Sequence, residues 1–198
     1  MKIFLVSSTR ADFGLFRNLI HELKKNSYFN LKIIATGTHF SKKHGFSFKE
    51  IKAENFKIYK KILIKCNTKS PKFILKDMSA LSQSISSIIT KDKPDLFIVL
   101  GDRYEICAVS LSAYINKIPI AHIHGGELTN GSLDNGFRHC VSKMSNFHFV
   151  SHGVYKKRLM QLGENPKTIY NVGSLGVENI YKTNFFSKEQ LEKSLKIN

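Results

Sequence analysis

Short apolar runs alternate along the chain with longer amphipathic stretches. KIFLVS (residues 2 to 7), LKIIAT (31 to 36), LFIVL (96 to 100), IPIAHI (118 to 123), FHFV (147 to 150) and TIYNV (168 to 172) read as strands. They are apolar on both faces, as parallel strands covered by helices above and below must be. Between them the apolar spacing predicts helices over residues 13 to 25, 73 to 89, 103 to 115, 134 to 144 and 154 to 162. This alternation predicts the α/β class: a three-layer, Rossmann-like, doubly wound parallel sheet with right-handed crossovers. Residues 1 to 180 read as that domain, and residues 181 to 198 as a connector with a Ser-Lys-Glu helix start.

In such sheets the ligand crevice lies beyond the carboxyl ends of the strands. Five of those ends carry glycine or charge: SSTRADFG, GTH, GDRYE, HGGELTNG and GSLG. The fold therefore brings them to one edge. In VLGDRYE, Asp102 stands two residues beyond a buried strand, behind a glycine that lets the backbone approach a ligand. It reads as a carboxylate aimed into the crevice or as a helix N-cap, and the two roles are compatible. Arg103 and Glu105 read as a structural pair, on the helix surface or ordering the turn.

The densest stretch is HIHGGELTNGSLDNGFRH, residues 122 to 139. Strand alternation puts His122 and His124 on one face with Ile123 opposite. Imidazoles there can shuttle protons, donate to phosphate or sugar, or orient a neighbour. Two at this spacing also suit a metal, but the third ligand is missing and no metal is expected. Gly125, Gly126 and Gly131 mark a loop with unusual backbone angles. Asp134 opens a helix with Arg138 one turn later, and serves either acid/base chemistry with Asp102 or only as a cap with an i,i+4 partner. In the first loop Arg10 is placed to clamp a phosphate or simply to lie on the surface. Neither GxGxxG nor GxxxxGK[ST] occurs, so no nucleotide cofactor is expected.

A chain of 198 residues, 42% hydrophobic, suffices for one domain with a real core. No apolar run approaches a membrane span of about 20 residues, and the amino terminus lacks a secretory pattern, so a cytoplasmic location without membrane contact is expected. Cys66, Cys107 and Cys140 are widely separated and read as buried reduced thiols. The net charge of +16 raises the question of an anionic partner. Its lysines are scattered without aromatic interleaving, so nucleic acid is not the expected partner.

STRADFGLFRNLI, TGTHFSKKHG, VLGDRYE, PIAHIHGGELTNGSLDNGFRHCVSKMS and YNVGSLGVENI, in this order and at these intervals, resemble the hydrolysing UDP-N-acetylglucosamine 2-epimerases of sialic acid and related nonulosonic acid biosynthesis. The resemblance implies one half of a two-domain, glycosyltransferase-like (GT-B type) fold closing over a UDP-sugar. It further implies removal of the C2 proton, elimination of UDP to a glycal, and hydration to N-acetylmannosamine. Asp102 and Asp134 match the family's catalytic acidic positions, and Arg10 matches its arginine near the diphosphate. Some relatives have a catalytic glutamate where this chain has His124, which leaves His124 and Glu127 as alternatives there. His39, Arg103, His122, Arg138, Gly125 and Gly126 complete the expected substrate-binding set. UDP-2,4-diacetamido-2,4,6-trideoxyglucose of the legionaminic acid pathway is the alternative substrate. The second, UDP-binding domain of the family is expected from a separate C-terminal half, with a homo-oligomer as another way to cover the open face. A truncated inactive remnant or a non-catalytic sugar- or protein-binding domain is the alternative to an enzyme.

Overall fold

A computed structural model describes residues 1–197. Seven strands alternate with helices: β1 (Lys2–Ser7), α1 (Arg10–Lys25), β2 (Asn30–Ala35), α2 (Phe48–Ala53), β3 (Ile58–Lys61), α3 (Pro71–Lys91), β4 (Leu96–Leu100), α4 (Tyr104–Ile115), β5 (Ile120–Ile123), α5 (Asp134–Met144), β6 (Phe147–Val150), α6 (Gly153–Gln161), β7 (Ile169–Asn171), α7 (Leu175–Lys182) and α8 (Lys188–Leu195). The strands form one sheet in the order β3-β2-β1-β4-β5-β6-β7. Every pairing is parallel.

Strand alternation divides the core in two. Phe4, Val6, Phe97 and Val99 pack with Leu81 and Ile85 of α3, Ile106 and Val109 of α4, and Val141 of α5. Ile3, Leu5, Ile33, Ile98 and Leu100 face the other way, onto Phe13, Phe16 and Ile20 of α1 and Phe48 and Ile51 of α2. A smaller cluster of Val150, Leu159 and Ile169 seats α6 on the far end of the sheet. Helices on both faces of a parallel sheet give the three layers expected from the apolar pattern.

Boundaries differ where local chemistry outranks periodicity. Helix α1 starts at Arg10 because Thr9 and Asp12 close a capping box, Thr9 Oγ1 accepting from the Asp12 amide at 3.1 Å. Helix α3 starts at Pro71, whose missing N–H costs nothing in the first turn. Strand β5 begins at Ile120 because Pro119 cannot donate to the ladder, although its carbonyl still accepts from Phe97 N at 2.9 Å. The six-residue α2, the edge strand β3 (IYKK) and α7 are additions to the expected order.

Two side-chain amides dock α7 on α1: Asn18 donates to Asn179 Oδ1 at 2.7 Å, and Asn179 donates to Gly14 O at 2.9 Å. Helix α8 follows with its own capping box, Ser187 with Gln190, and buries no residue. Cys66 and Cys107 are buried and free, but Cys140 is exposed, contrary to expectation. It sits on α5, which turns Arg138, Val141 and Ser142 inward and leaves position 140 outside. Among the described residues no helix is long and apolar enough to cross a membrane.

Candidate active site

The strand order reverses direction between β1 and β4, and the loops beyond their carboxyl ends flank the crevice. The first loop is held from within. The Asp12 carboxylate accepts from Ser8 N at 3.0 Å, Ser8 Oγ at 2.7 Å, Thr9 N at 3.0 Å and Thr9 Oγ1 at 2.7 Å. The loop after β2 presses on it: Thr38 N donates to Ser8 O at 2.8 Å. Gly37, at φ +63°, has no room for a side chain, because a Cβ there would stand 2.3 Å from Ser8 O. Arg10 projects from this braced loop, its side chain 74% exposed, and pairs with Glu50 of α2 at 2.9 Å.

Beyond β4 the chain turns at Gly101, φ +82°. The Gly101 carbonyl accepts from His122 Nε2 at 2.8 Å, while His122 Nδ1 lies 3.1 Å from Ser142 Oγ. A carbonyl only accepts, so His122 carries its proton on Nε2. Its ring is fully buried, and burial pushes its pKa down to about 3. His122 thus braces the turn that presents Asp102. His39 is placed likewise: it is buried between Ser7 Oγ and Ser47 Oγ, each at 2.9 Å, with burial holding its pKa down at about 4. Both histidines lie under the crevice rather than in it.

Asp102 pairs with the Arg138 guanidinium, and Thr129 Oγ1 donates to the same carboxylate at 3.4 Å. The alternative in which Asp134 pairs with Arg138 along α5 is therefore not the arrangement found. Arg138 is 6% exposed, turns inward, donates to His124 O at 2.7 Å and stands 3.5 Å from Glu127 Oε2. Asp134 stays half-buried at the start of α5, and its amide donates to Ser132 Oγ at 3.2 Å. Arg103 and Glu105 do pair, at 3.1 and 2.8 Å, but Glu105 is fully buried rather than on the helix surface. Burial raises the Glu105 pKa more than Arg103 lowers it.

Strand β5 ends at Ile123, so strict alternation stops before His124, which adopts a left-handed φ of +63°. That conformation is uncommon for a residue with a Cβ. His124 Nδ1 lies 3.2 Å from Glu127 Oε1. Ser151, just beyond β6, donates to the same oxygen at 2.6 Å. Burial raises the Glu127 pKa, but hydrogen bonds from His124 and Ser151 and the charge of Arg138 outweigh it, so the net shift is downward. Gly125 and Gly126 serve close packing: an added Cβ would stand 2.9 Å from His122 Nδ1 and 2.6 Å from Tyr155 O respectively. Arg158 of α6 donates to Gly126 O.

The crevice edge thus brings together Asp102, His124, Glu127 and Arg138, with Arg10 across the switch point. Thr129, Ser151, Arg158 and Asp12 were not anticipated. Ser151 had a readable signal, since it ends a predicted strand on the same edge; the others are known only from contacts across the fold. Beside the cluster, past β5 to β7, lies a largely apolar hollow of about 530 Å³ lined by Ile123, Phe149, Val172 and Tyr181. Among the described residues no group of three His, Cys, Asp or Glu side chains is arranged to hold a metal ion.

Carboxylates and an imidazole are thus gathered at the switch-point edge of a Rossmann-like parallel sheet. The chain belongs to the UDP-N-acetylglucosamine 2-epimerase family, whose sequence profile matches residues 21–198. It is 46% identical, over 99% of its length and 51% of the relative's, to the GDP/UDP-N,N'-diacetylbacillosamine 2-epimerase (hydrolyzing) of Campylobacter jejuni. It is 39% identical to polysialic acid biosynthesis protein P7 of Escherichia coli, over 96% of this chain and 49% of that one. The crystal structure of the Neisseria meningitidis UDP-GlcNAc 2-epimerase bound to UDP-GlcNAc superposes with a TM-score of 0.81 at 21% identity, covering all of this chain and 52% of the other. The chain spans about half the length of the relatives it matches, and is one Rossmann-like half of their two-domain, GT-B-type fold.

Proposed function

We propose that the chain is the N-terminal catalytic half of a hydrolysing UDP-N-acetylglucosamine 2-epimerase, residues 1 to 180 forming the epimerase domain and residues 181 to 198 a connector toward a UDP-binding half. The observation that carries this reading is the ion-paired set Asp102, Arg138, Glu127 and His124 at the switch-point edge of a family member. Epimerisation with hydrolysis needs a base for the C2 proton, and the C2–H electron pair becomes the C1=C2 bond as the C1–O pair leaves with UDP. Water then adds its hydroxyl to C1 of the glycal, and an acid returns a proton to the opposite face of C2. Asp102, Asp134, His124 and Glu127 supply the proton-transfer groups. Arg10, exposed at the mouth of the crevice, takes the diphosphate. The enzyme serves nonulosonic acid biosynthesis.

A second reading concerns the sugar. The 46% identical relative is named for diacetylbacillosamine, the 2,4-diacetamido-2,4,6-trideoxy sugar, which supports that nucleotide sugar as the alternative to UDP-GlcNAc. Side-by-side turnover of the two substrates decides between them.

The test of the function is UDP release by the purified chain, alone and mixed with a C-terminal half from a full-length relative. Turnover in the mixture that is lost in Asp102→Asn is the expected result. A folded chain with no turnover in either case, but with saturable Arg10-dependent ligand binding, would replace the enzyme with a binding domain.

A further inference from the structure

Three observations meet at His124. Its backbone sits at φ +63°, a conformation L-residues reach at a cost and keep where the surroundings demand it. Its Nδ1 is tied to Glu127 at 3.2 Å, and Glu127 is itself held by Ser151 at 2.6 Å. Its Nε2 is enclosed, yet finds no hydrogen-bond partner among the described residues. A buried polar atom left without a partner costs about 1–3 kcal/mol, and native folds seldom tolerate it unless something else completes the site.

The tautomer follows from the donors and acceptors. An ionised carboxylate only accepts, so the proton between His124 and Glu127 belongs to Nδ1, and in the neutral imidazole Nε2 then carries the lone pair. Ser151 donates to the oxygen that faces Nδ1, and Arg138 stands at the other oxygen, 3.5 Å away. The carboxylate is thereby fixed in position and in charge. We propose that Ser151 is a positioning residue that acts through Glu127 to hold His124 as the Nδ1–H tautomer, with Nε2 as the base that takes the substrate's C2 proton. This rests on the epimerase reading above. It joins His124 and Glu127, the two alternatives at this point of the sequence, in a single role, in which the imidazole accepts the proton and the carboxylate stabilises the imidazolium that results. The C2–H pair forms the glycal double bond, the C1–O pair departs with UDP, and the proton stays on Nε2 as part of the imidazolium that Glu127 stabilises.

Two measurements on the 198-residue chain test this. Ring 15N shifts of His124 at neutral pH are expected to report the Nδ1–H tautomer; a dominant Nε2–H form overturns the proposal. In the chain reconstituted with a C-terminal half, Ser151→Ala is expected to lower kcat by about 10-fold to 100-fold with KM nearly unchanged, the scale of a misplaced proton-transfer group. The deuterium isotope effect from C2-deuterated UDP-GlcNAc should rise with it, because proton removal becomes slower. Ser151→Thr, which keeps the hydroxyl, should recover most of kcat. Loss through KM alone with an unchanged isotope effect, or no loss in Ser151→Ala, refutes the role. Absence of turnover by the unmodified pair would instead sink the epimerase reading and the C2 assignment with it, whatever the tautomer.

Discussion

Acidification from pH 7 to pH 5 should destabilise this fold through two histidines that the native state keeps neutral. His122 and His39 are fully buried, with pKa values pushed down by burial to about 3 and about 4. In the unfolded chain each titrates near 6.5. The folded state therefore binds fewer protons, and stability is full above pH 6.5 and lost as pH falls toward the folded values. At pH 5 an unfolded histidine is almost fully protonated and the buried ones almost not at all. Each then forfeits about 2 kcal/mol relative to pH 7, or about 4 kcal/mol for the pair. That is a large part of the 5–15 kcal/mol typical of a domain. Urea unfolding at half-unit pH steps measures it, with an expected slope of between about 2 and 3 kcal/mol per pH unit near pH 5. His39→Gln removes one titrating group and should roughly halve the slope contributed by the pair. A curve flat to within about 1 kcal/mol between pH 7 and pH 5 would refute the reasoning.

Asp102→Asn should cut UDP release by the reconstituted enzyme at least about 100-fold and, because it takes the counter-charge from buried Arg138, should also lower stability by about 1–3 kcal/mol, read by parallel turnover and melting. Gly126→Ala places a Cβ 2.6 Å from Tyr155 O at φ +77°, and should destabilise the chain by about 2 kcal/mol or more in denaturant unfolding. Leu81→Ala empties a fully buried position of the α3–α4 face and should cost about 2–5 kcal/mol, with no change in a pH profile. Glu105→Gln takes the counter-charge from Arg103, whose side chain is 32% exposed, and should cost about 1–3 kcal/mol, detected as a lowered midpoint.

The sheet was legible because its central strands are apolar on both faces. β1, β4 and β6 coincide with KIFLVS, LFIVL and FHFV residue for residue. The edge strand β3 was not legible, since IYKK keeps two exposed lysines where it has no neighbour to cover it. The rule that ligands meet strand carboxyl ends pointed to Asp102, His124 and Glu127, which the structure gathers around Arg138. It did not separate residues that line the edge from residues beneath it. His39 and His122 share that edge in sequence, but each has both ring nitrogens held by the fold, a matter of contacts 8 to 32 positions away. The alternative Asp134–Arg138 pair did not form because helix spacing permits an i,i+4 contact without requiring it. Arg138 turned instead to a carboxylate 36 residues earlier.

The brace under the first loop bears on how an anion could be captured at the crevice mouth. Four hydrogen bonds to one aspartate settle the backbone from Ser8 to Asp12 before any ligand arrives, so recognition there does not have to order a loop. What remains free is a single long side chain. Arg10 rests against Glu50 in a solvent-exposed pair worth no more than about 1 kcal/mol. A doubly charged guest can displace that carboxylate at small cost, and the arginine changes counter-ion without the fold moving: a swivelling arm on a fixed post, its grip set by the competition between Glu50 and the incoming anion. Removing Glu50 would then tighten the hold on any anion presented there, and slow its release.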